Sequence, residues 1–140
     1  VRISDFYGYR KDPINKVRTM HHGIDFAGPV GTPVYSTGDG VVIEADYSFS
    51  GYGNQVIIDH GFGYKTRYAH LHKISVKAGD KVKRAEMVGS LGSSGKSTGP
   101  HLHYEVMVRN NPVNPINYFN DMTEDDYELM LDNYSSDFMD

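Results

Sequence analysis

Short apolar runs separated by glycine-containing turns dominate residues 1–120 of the chain. Turn signals such as Gly61-Phe62-Gly63 divide runs of about strand length, and they predict strand-turn-strand units. The predicted strands are Val34-Tyr35, residues 41–48, 54–61 and 64–71, a pair around 80–82 and 86–91, and residues 101–108. Helical periodicity is scarce before residue 120. The pattern therefore predicts an all-β fold, an antiparallel sandwich or barrel.

The last predicted strand, HLHYEVMV, carries two histidines with one residue between them. Successive side chains of a strand point to opposite faces, so His101, His103 and Glu105 are expected on one face. The apolar residues between them then face the core. Two imidazoles are thereby directed into the same space.

A second histidine segment, HHGIDF at residues 21–26, is also predicted to be extended, because Gly23 and a later Gly-Pro pair disfavour a helix. His21, Gly23 and Asp25 then share a face, while the apolar residues between them pack inward. We expect the absent side chain of Gly23 to leave room for an ion. Two histidines and a carboxylate, with a fourth position left to water, form the ligand set of a catalytic zinc.

Several segments joined by glycine turns resemble, in order and spacing, the lysostaphin-like family of zinc metallopeptidases (family M23). The resemblance covers roughly residues 5 to 119 and is carried by MHHGIDFAGPVGTPVYSTGDGVV, GYGNQVIIDHGFGYKTRYAHL, VKAGDKV, GSSGKSTGPHLHYEV and NPVNPINYF. It implies that His21, Asp25 and His103 bind zinc and that His70 and His101 are the catalytic histidines. It also implies two sheets flanking a narrow groove with the metal on its floor. The implied substrate is the peptide stems or cross-bridges of bacterial peptidoglycan, in the cell envelope.

The residues themselves leave the division of catalytic labour open. His101 is placed to accept a proton as general base, and His70 to hydrogen-bond the developing oxyanion or to help hold the attacking water. Strand alternation predicts that Tyr68, His70 and His72 share a face. Glu105 is expected either to orient a ligand imidazole or to be a surface carboxylate.

Three further histidines, His22, His60 and His72, are assigned no function. The loop GSSGKSTGP at residues 92–100 contains a Gly-Lys-Ser sequence. This sequence leads through Gly-Pro into a strand rather than into a helix, so the loop is not a phosphate-binding P-loop. We interpret it as a wall of the groove, whose backbone can pair with an extended peptide.

The charge is unevenly distributed along the 140 residues. The net charge is -4, but residues 121–140 hold eight of the 18 acids and no Lys or Arg, which leaves ten acids against 14 bases in residues 1–120. We therefore predict a mildly basic peptidase domain over residues 1–120 and an acidic tail over 121–140. The excess of bases is too slight to indicate nucleic acid.

The acidic tail is predicted to contain a short amphipathic helix. Thr123 is a plausible N-cap, followed by acids that the helix dipole favours. Apolar residues recur at helical spacing after it: Tyr127, Met130, Leu131, Tyr134 and Phe138. The helix is expected to dock on the outside of the β-domain; alternatively, it folds over the basic groove and restrains access to the metal.

Cysteine is absent, which excludes disulfides and thiolate metal sites. No apolar run reaches the length of about 18 residues needed to span a membrane. The chain begins at Val1 rather than Met. We expect it to be part of something longer, whose missing N-terminal region has room for an export signal or a membrane anchor.

Two other function classes fit parts of the sequence. A sugar-transport phosphocarrier domain also brings two histidines together on a β-rich scaffold, but it needs no metal and gives no reason for Asp25. A non-catalytic wall-binding module, or an activator of other wall hydrolases, is the second alternative. A hydrolysis assay separates that module from an active enzyme.

Overall fold

The computed structural model describes residues 2–5, 7–11 and 18–115, and it confirms the all-β class. The described ranges contain twelve strands: β1 (Arg2–Asp5), β2 (Gly8–Lys11), β3 (Arg18–His21), β4 (Ile24–Ala27), β5 (Pro33–Tyr35), β6 (Gly40–Ser48), β7 (Gly53–Gly61), β8 (Tyr64–Ile74), β9 (Lys81–Val82), β10 (Met87–Leu91), β11 (His101–Val108) and β12 (Asn111–Val113). They contain no helix long and apolar enough to cross a bilayer. The helix predicted after Thr123 lies outside the described residues.

The described strands form two antiparallel sheets of very unequal size. The larger has ten strands and follows the path β1-β4-β11-β8-β7-β6-β9, with β10 joined to both β5 and β8 and with β12 joined to β11. The smaller sheet is the hairpin of β2 and β3. Because β4 and β8 lie on either side of β11, the three segments that carry the candidate site residues are neighbours.

The predicted hairpin between β7 and β8 is present. Gly61 pairs with Tyr64, which leaves a two-residue turn. Phe62 and Gly63 in this turn have φ angles of 54° and 81°. Two positive φ angles in a two-residue loop match the right-handed twist of the flanking strands.

Alternation along β4 and β11 sorts apolar and polar side chains onto opposite faces. The inward face forms part of the core, and its residues are almost completely buried: Ile24, Phe26, Leu102, Tyr104 and Val106. The residues between them point away from this core, as expected for strands with period two. Formation of the core therefore fixes the direction of Asp25, His101, His103 and Glu105.

Gly23 allows β11 to approach closely. A Cβ atom at this position would collide with the carbonyl oxygen of Tyr104 and would lie 3.0 Å from Cε1 of His103. We expected the missing side chain to leave room for an ion. The structure gives a different reason, because the nearest obstacle is the backbone of the neighbouring strand.

Candidate metal centre and catalytic residues

The register between β4 and β11 brings the two histidine motifs together. Asp25 pairs directly with His103, and its Oδ1 atom lies 2.7 Å from Nδ1 of His103. The other carboxylate oxygen, Oδ2, lies 3.2 Å from Nε2 of His21. One ligand atom from each of the three residues lies within 4.8 Å of the others. The three predicted ligands thus form one cluster.

This cluster fits a divalent transition metal. Imidazole nitrogens and a carboxylate oxygen are suitable donors, and three protein ligands leave a position for water or substrate. His21 and His103 are buried, whereas Asp25 is only partly buried. A metal held there would have its ligands shielded and would still be reachable from one side.

The electrostatics of the cluster favour positive charge. Burial alone would raise the pKa of Asp25, but hydrogen bonds from His103 and His21 hold that pKa well below its usual range. Burial alone would lower the pKa of His103, but its hydrogen bonds to Asp25 and Glu105 raise the pKa to about 9. The carboxylates of Asp25 and Glu105 therefore stabilise positive charge at this point. A bound metal ion would supply such a charge.

Glu105 is completely buried beside His103. Its Oε1 atom accepts hydrogen bonds from Nε2 of His103 at 2.9 Å and from the hydroxyl of Tyr52 at 2.8 Å. Its Oε2 atom accepts one from Nη1 of Arg67 at 2.8 Å. Burial would raise the pKa of Glu105, but these partners lower it. The interpretation as a surface carboxylate is wrong, and Glu105 contacts the ring of a candidate ligand.

The two residues that donate to Glu105, Tyr52 and Arg67, were not predicted from the sequence to belong to the site. Arg67 pairs with Glu105 across β8 and β11, and Tyr52 lies in the turn between β6 and β7. The guanidinium carbon of Arg67 also lies 4.1 Å from the centre of the Tyr52 ring. Strand pairing identifies Arg67 as a partner of Glu105, and the turn before β7 supplies Tyr52. No motif in the sequence identifies either residue.

His70 enters the site through a bulge in β8. The pairing of β8 with β7 shifts register between Asn54 and Val56, as happens where one strand accommodates an extra residue. His70 has a φ angle of 61°, in the left-handed region that residues other than glycine disfavour. Its backbone N–H donates to the carbonyl oxygen of Tyr52 at 2.8 Å.

Because of this bulge, the expectation that Tyr68 and His70 share a face is wrong. Tyr68 is completely buried in the core, and its hydroxyl accepts a hydrogen bond from the backbone N–H of Thr37. The ring of His70 instead lies 4.6 Å from that of His101 and 6.0 Å from that of His103, measured between centroids. The left-handed residue interrupts the regular alternation and turns His70 toward the candidate ligands.

The loop of residues 92–100 contacts both candidate catalytic histidines. Nδ1 of His70 lies 2.7 Å from the carbonyl oxygen of Ser94. Nδ1 of His101 lies 2.9 Å from the carbonyl oxygen of Gly99 and 3.0 Å from Oγ of Ser97. A carbonyl oxygen only accepts hydrogen bonds, so both Nδ1 atoms carry the proton. In the neutral ring, each Nε2 atom then has the free lone pair.

The orientation of His101 directs this lone pair to the cluster. Its Nε2 atom lies 3.9 Å from Oδ1 of Asp25. Burial lowers the pKa of His70, although the hydrogen bond to Ser94 opposes the shift. The site therefore combines three candidate ligands with two histidines that share one tautomer.

The same loop lies against the turn before β7. The backbone N–H of Lys96 donates to the carbonyl oxygen of Gly51 at 2.8 Å. A Cβ atom at Gly53 would collide with the backbone of Ser94 and Gly95, so the close approach depends on glycine. Residues 92–100 thus form a supported segment beside the two histidines, and the role of this loop as a groove wall stays a prediction.

The histidines without an assigned function lie elsewhere. His22 and His72 are exposed. His60 lies between the carbonyl oxygen of Asp39 and Oγ1 of Thr66, each 2.7 Å from one of its ring nitrogens. Burial lowers the pKa of His60. These contacts give His60 a structural role in the β6–β8 region.

Comparison with known proteins identifies a family relationship. The model of peptidase family M23 matches residues 19–115. Peptidoglycan DD-endopeptidase ShyA of Vibrio cholerae is 51% identical over 112 residues, which cover 79% of this chain and 26% of the relative. The chain thus spans about a quarter of the length of this relative.

Solved structures show the same similarity. A zinc-containing peptidase from Vibrio cholerae superposes with a TM-score of 0.75 at 48% identity, covering 81% of this chain and 35% of the other. The catalytic domain of lysostaphin from Staphylococcus simulans gives a TM-score of 0.76 at 36% identity, covering 84% of this chain and 91% of that domain. The latter match spans nearly a complete catalytic domain.

Proposed function

The chain belongs to peptidase family M23, and we propose on this basis that it is a zinc-dependent endopeptidase that hydrolyses peptide bonds in bacterial peptidoglycan. The observation that carries the proposal is the convergence of five side chains, namely His21, Asp25 and His103 as ligands with His70 and His101 beside them. Each of the five belongs to a motif that resembles the family.

The substrate is proposed from the relatives. ShyA and ShyB of Vibrio cholerae, 51% and 50% identical to this chain, are named peptidoglycan DD-endopeptidases. A protein of Neisseria meningitidis that is 48% identical is named a DD-carboxypeptidase/endopeptidase. We accordingly propose a peptidoglycan peptide as substrate and the bacterial cell envelope as the location.

Zinc is the proposed metal, held by His21, Asp25 and His103. When bound, zinc supplies a Lewis acid that activates water and polarises a carbonyl group. The similarity to the zinc-containing peptidase from Vibrio cholerae supports this choice, as does the donor set.

His101 is the proposed general base. Its Nδ1 proton is held by the carbonyl oxygen of Gly99, so Nε2 is free to accept a proton near Asp25. After accepting the proton, the same nitrogen can donate it to the leaving amine, as the reverse step of acid-base catalysis requires.

His70 is proposed to hold the attacking water. Its Nδ1 proton is directed to the carbonyl oxygen of Ser94, and its neutral ring accepts a hydrogen bond at Nε2. A developing oxyanion needs a donor rather than an acceptor. The tautomer therefore supports the role of holding the water over the role of stabilising the oxyanion.

Digestion of purified peptidoglycan by the zinc-loaded protein tests the proposal. We expect new soluble muropeptides, identified by mass spectrometry, and their loss when a chelator removes the metal. Substrates with direct stem cross-links and with glycine cross-bridges should be compared to locate the bond. Zinc binding without cleavage of either substrate would favour a wall-binding or activator module, whereas a phosphorylated histidine without bound metal would favour a phosphocarrier.

A further inference from the structure

We propose that Glu105, held in place by Tyr52 and Arg67, is a positioning residue that fixes the orientation and tautomer of His103 for metal binding. We call these three residues the support cluster. The inference rests on the proposed function, because it concerns the same metal centre.

The geometry at His103 assigns its two ring nitrogens to different carboxylates. Nε2 of His103 lies 2.9 Å from Oε1 of Glu105. An ionised carboxylate only accepts hydrogen bonds, so Nε2 must carry a proton. Nδ1 lies 2.7 Å from Oδ1 of Asp25, which is itself a proposed ligand, so Nδ1 also carries a proton while no metal is bound, and a metal would take the place of that proton. A ring flip or the opposite tautomer would direct a proton at the metal instead.

Tyr52 and Arg67 together compensate the buried charge of Glu105 at both of its oxygens. The hydroxyl of Tyr52 and Nη1 of Arg67 donate to Oε1 and Oε2, each at 2.8 Å. A buried carboxylate is unfavourable unless it is paired and hydrogen-bonded. With these donors, Glu105 remains ionised while completely buried. A purely structural ion pair between Glu105 and Arg67 would not require the additional contact with His103.

Tyr52 also links the support cluster to His70. Its side chain donates to Glu105, and its backbone carbonyl oxygen accepts from the N–H of His70 at 2.8 Å. Its ring lies 5.9 Å from that of His103 between centroids. One residue thus contacts the support of a ligand and the backbone of a catalytic histidine, which fixes their spacing.

Zinc affinity is the first readout, because it does not depend on catalysis. The Glu105→Gln variant keeps the size of the side chain but loses its charge, and its amide can present either a donor or an acceptor to His103. We expect chelator competition to show zinc binding about 10- to 100-fold weaker, the range typical of lost partners of metal-bound histidines. Tyr52→Phe removes one hydroxyl and should weaken binding less, while its backbone contact with His70 remains.

Tyr68→Phe is the matched control. It also removes a buried tyrosine hydroxyl, one that contacts Thr37 and Thr66 in the core rather than the support cluster. We expect this variant to lower stability while retaining the zinc affinity of the unmodified protein. Circular dichroism should show that all variants keep the β-fold.

The protonation of His103 is the second readout. Nitrogen-15 NMR of the zinc-loaded protein should show the proton on Nε2 and the metal on Nδ1. The opposite arrangement would overturn the inference.

The outcomes separate the two proposals. If the unmodified protein binds no zinc, the proposed function fails and this inference fails with it. If it binds zinc and folded Glu105→Gln binds equally well, only the positioning role is overturned. Should Glu105→Gln not fold, Tyr52→Phe decides, because unchanged affinity in that variant contradicts the role and reduced affinity supports it.

Discussion

Asp25 and His103 lie opposite each other on neighbouring antiparallel strands, with a carboxylate oxygen 2.7 Å from an imidazole nitrogen. The pairing is a consequence of strand register, because the flanking residues of both strands are anchored in the core. A one-residue slip would turn these side chains to the other face. The core thus maintains the geometry of the candidate metal centre.

Asp25→Ala should greatly weaken metal retention, because it leaves only two imidazoles. We expect substoichiometric zinc after dialysis, measured by elemental analysis, while the unmodified protein retains one zinc per chain. His22→Ala, at an exposed neighbouring position, should retain the metal. Full zinc occupancy in Asp25→Ala would refute the ligand assignment.

His101→Ala should keep the metal and lose hydrolysis, because it removes a proton-transfer group rather than a ligand. The loss is expected to reach up to ~10⁴-fold in the rate of peptidoglycan cleavage, the scale of acid-base catalysis. His72→Ala, which changes an exposed histidine, should cleave at the normal rate. Normal cleavage by His101→Ala would assign the base to another residue.

His70→Ala and His70→Gly should both lose activity, but they should differ in stability. The φ angle of 61° at this position favours glycine, so His70→Gly should have the larger free energy of unfolding, by about 1 kcal/mol. His72 lies in the same strand and has no positive φ angle. There His72→Ala should have the larger free energy of unfolding, by roughly 0.5–1 kcal/mol relative to His72→Gly. Urea denaturation of the four variants measures both differences. The same order at both positions would argue against strain at His70.

His60 should make the fold sensitive to acid. Burial lowers its pKa in the folded protein below 6.5, so the unfolded chain binds more protons once the pH falls below that value. Its contribution to stability is therefore present above pH 6.5 and decreases as the pH falls toward the folded-state pKa. Free energies of unfolding measured across about pH 8 to 5 should decline less steeply for His60→Gln. Identical slopes for the two proteins would contradict the assignment.

Deletion of residues 121–140 tests the role of the acidic tail. Both the helix and the role of this tail stay predictions. If the tail restrains access to the metal, the shortened protein should cleave peptidoglycan faster, because competition for the mildly basic groove is removed. If the tail only packs on the domain, cleavage should be unchanged or slower and thermal stability should fall. Rates and melting temperatures of both proteins distinguish these results.

Much of the metal centre can be predicted from sequence because strand periodicity is local. Alternation alone placed His101, His103 and Glu105 on one face of β11, with apolar residues on the other. The face of His70 could not be predicted in this way. It depends on a left-handed backbone held by the carbonyl oxygen of Tyr52, a contact that no local pattern contains.

The environment of Glu105 could not be predicted from the sequence for a related reason. Its partners Tyr52 and Arg67 lie 53 and 38 positions away in sequence. Whether a strand carboxylate is buried or exposed is decided by what the adjacent strands and turns provide. The sequence therefore allowed Glu105 to be either a surface carboxylate or a partner of a ligand imidazole. The pairing of β8 with β11 buries it and decides for the second.

The register of β4 and β11 also determines when the proposed ligand set becomes complete. Asp25 and His103 are 78 positions apart in the chain, and contacts of such long range form slowly during folding. A nascent chain that ends before β11 lacks His103 and cannot complete the ligand cluster. A metal that needs all three proposed ligands would therefore bind only after these strands pair, and it would then stabilise the finished fold by mass action.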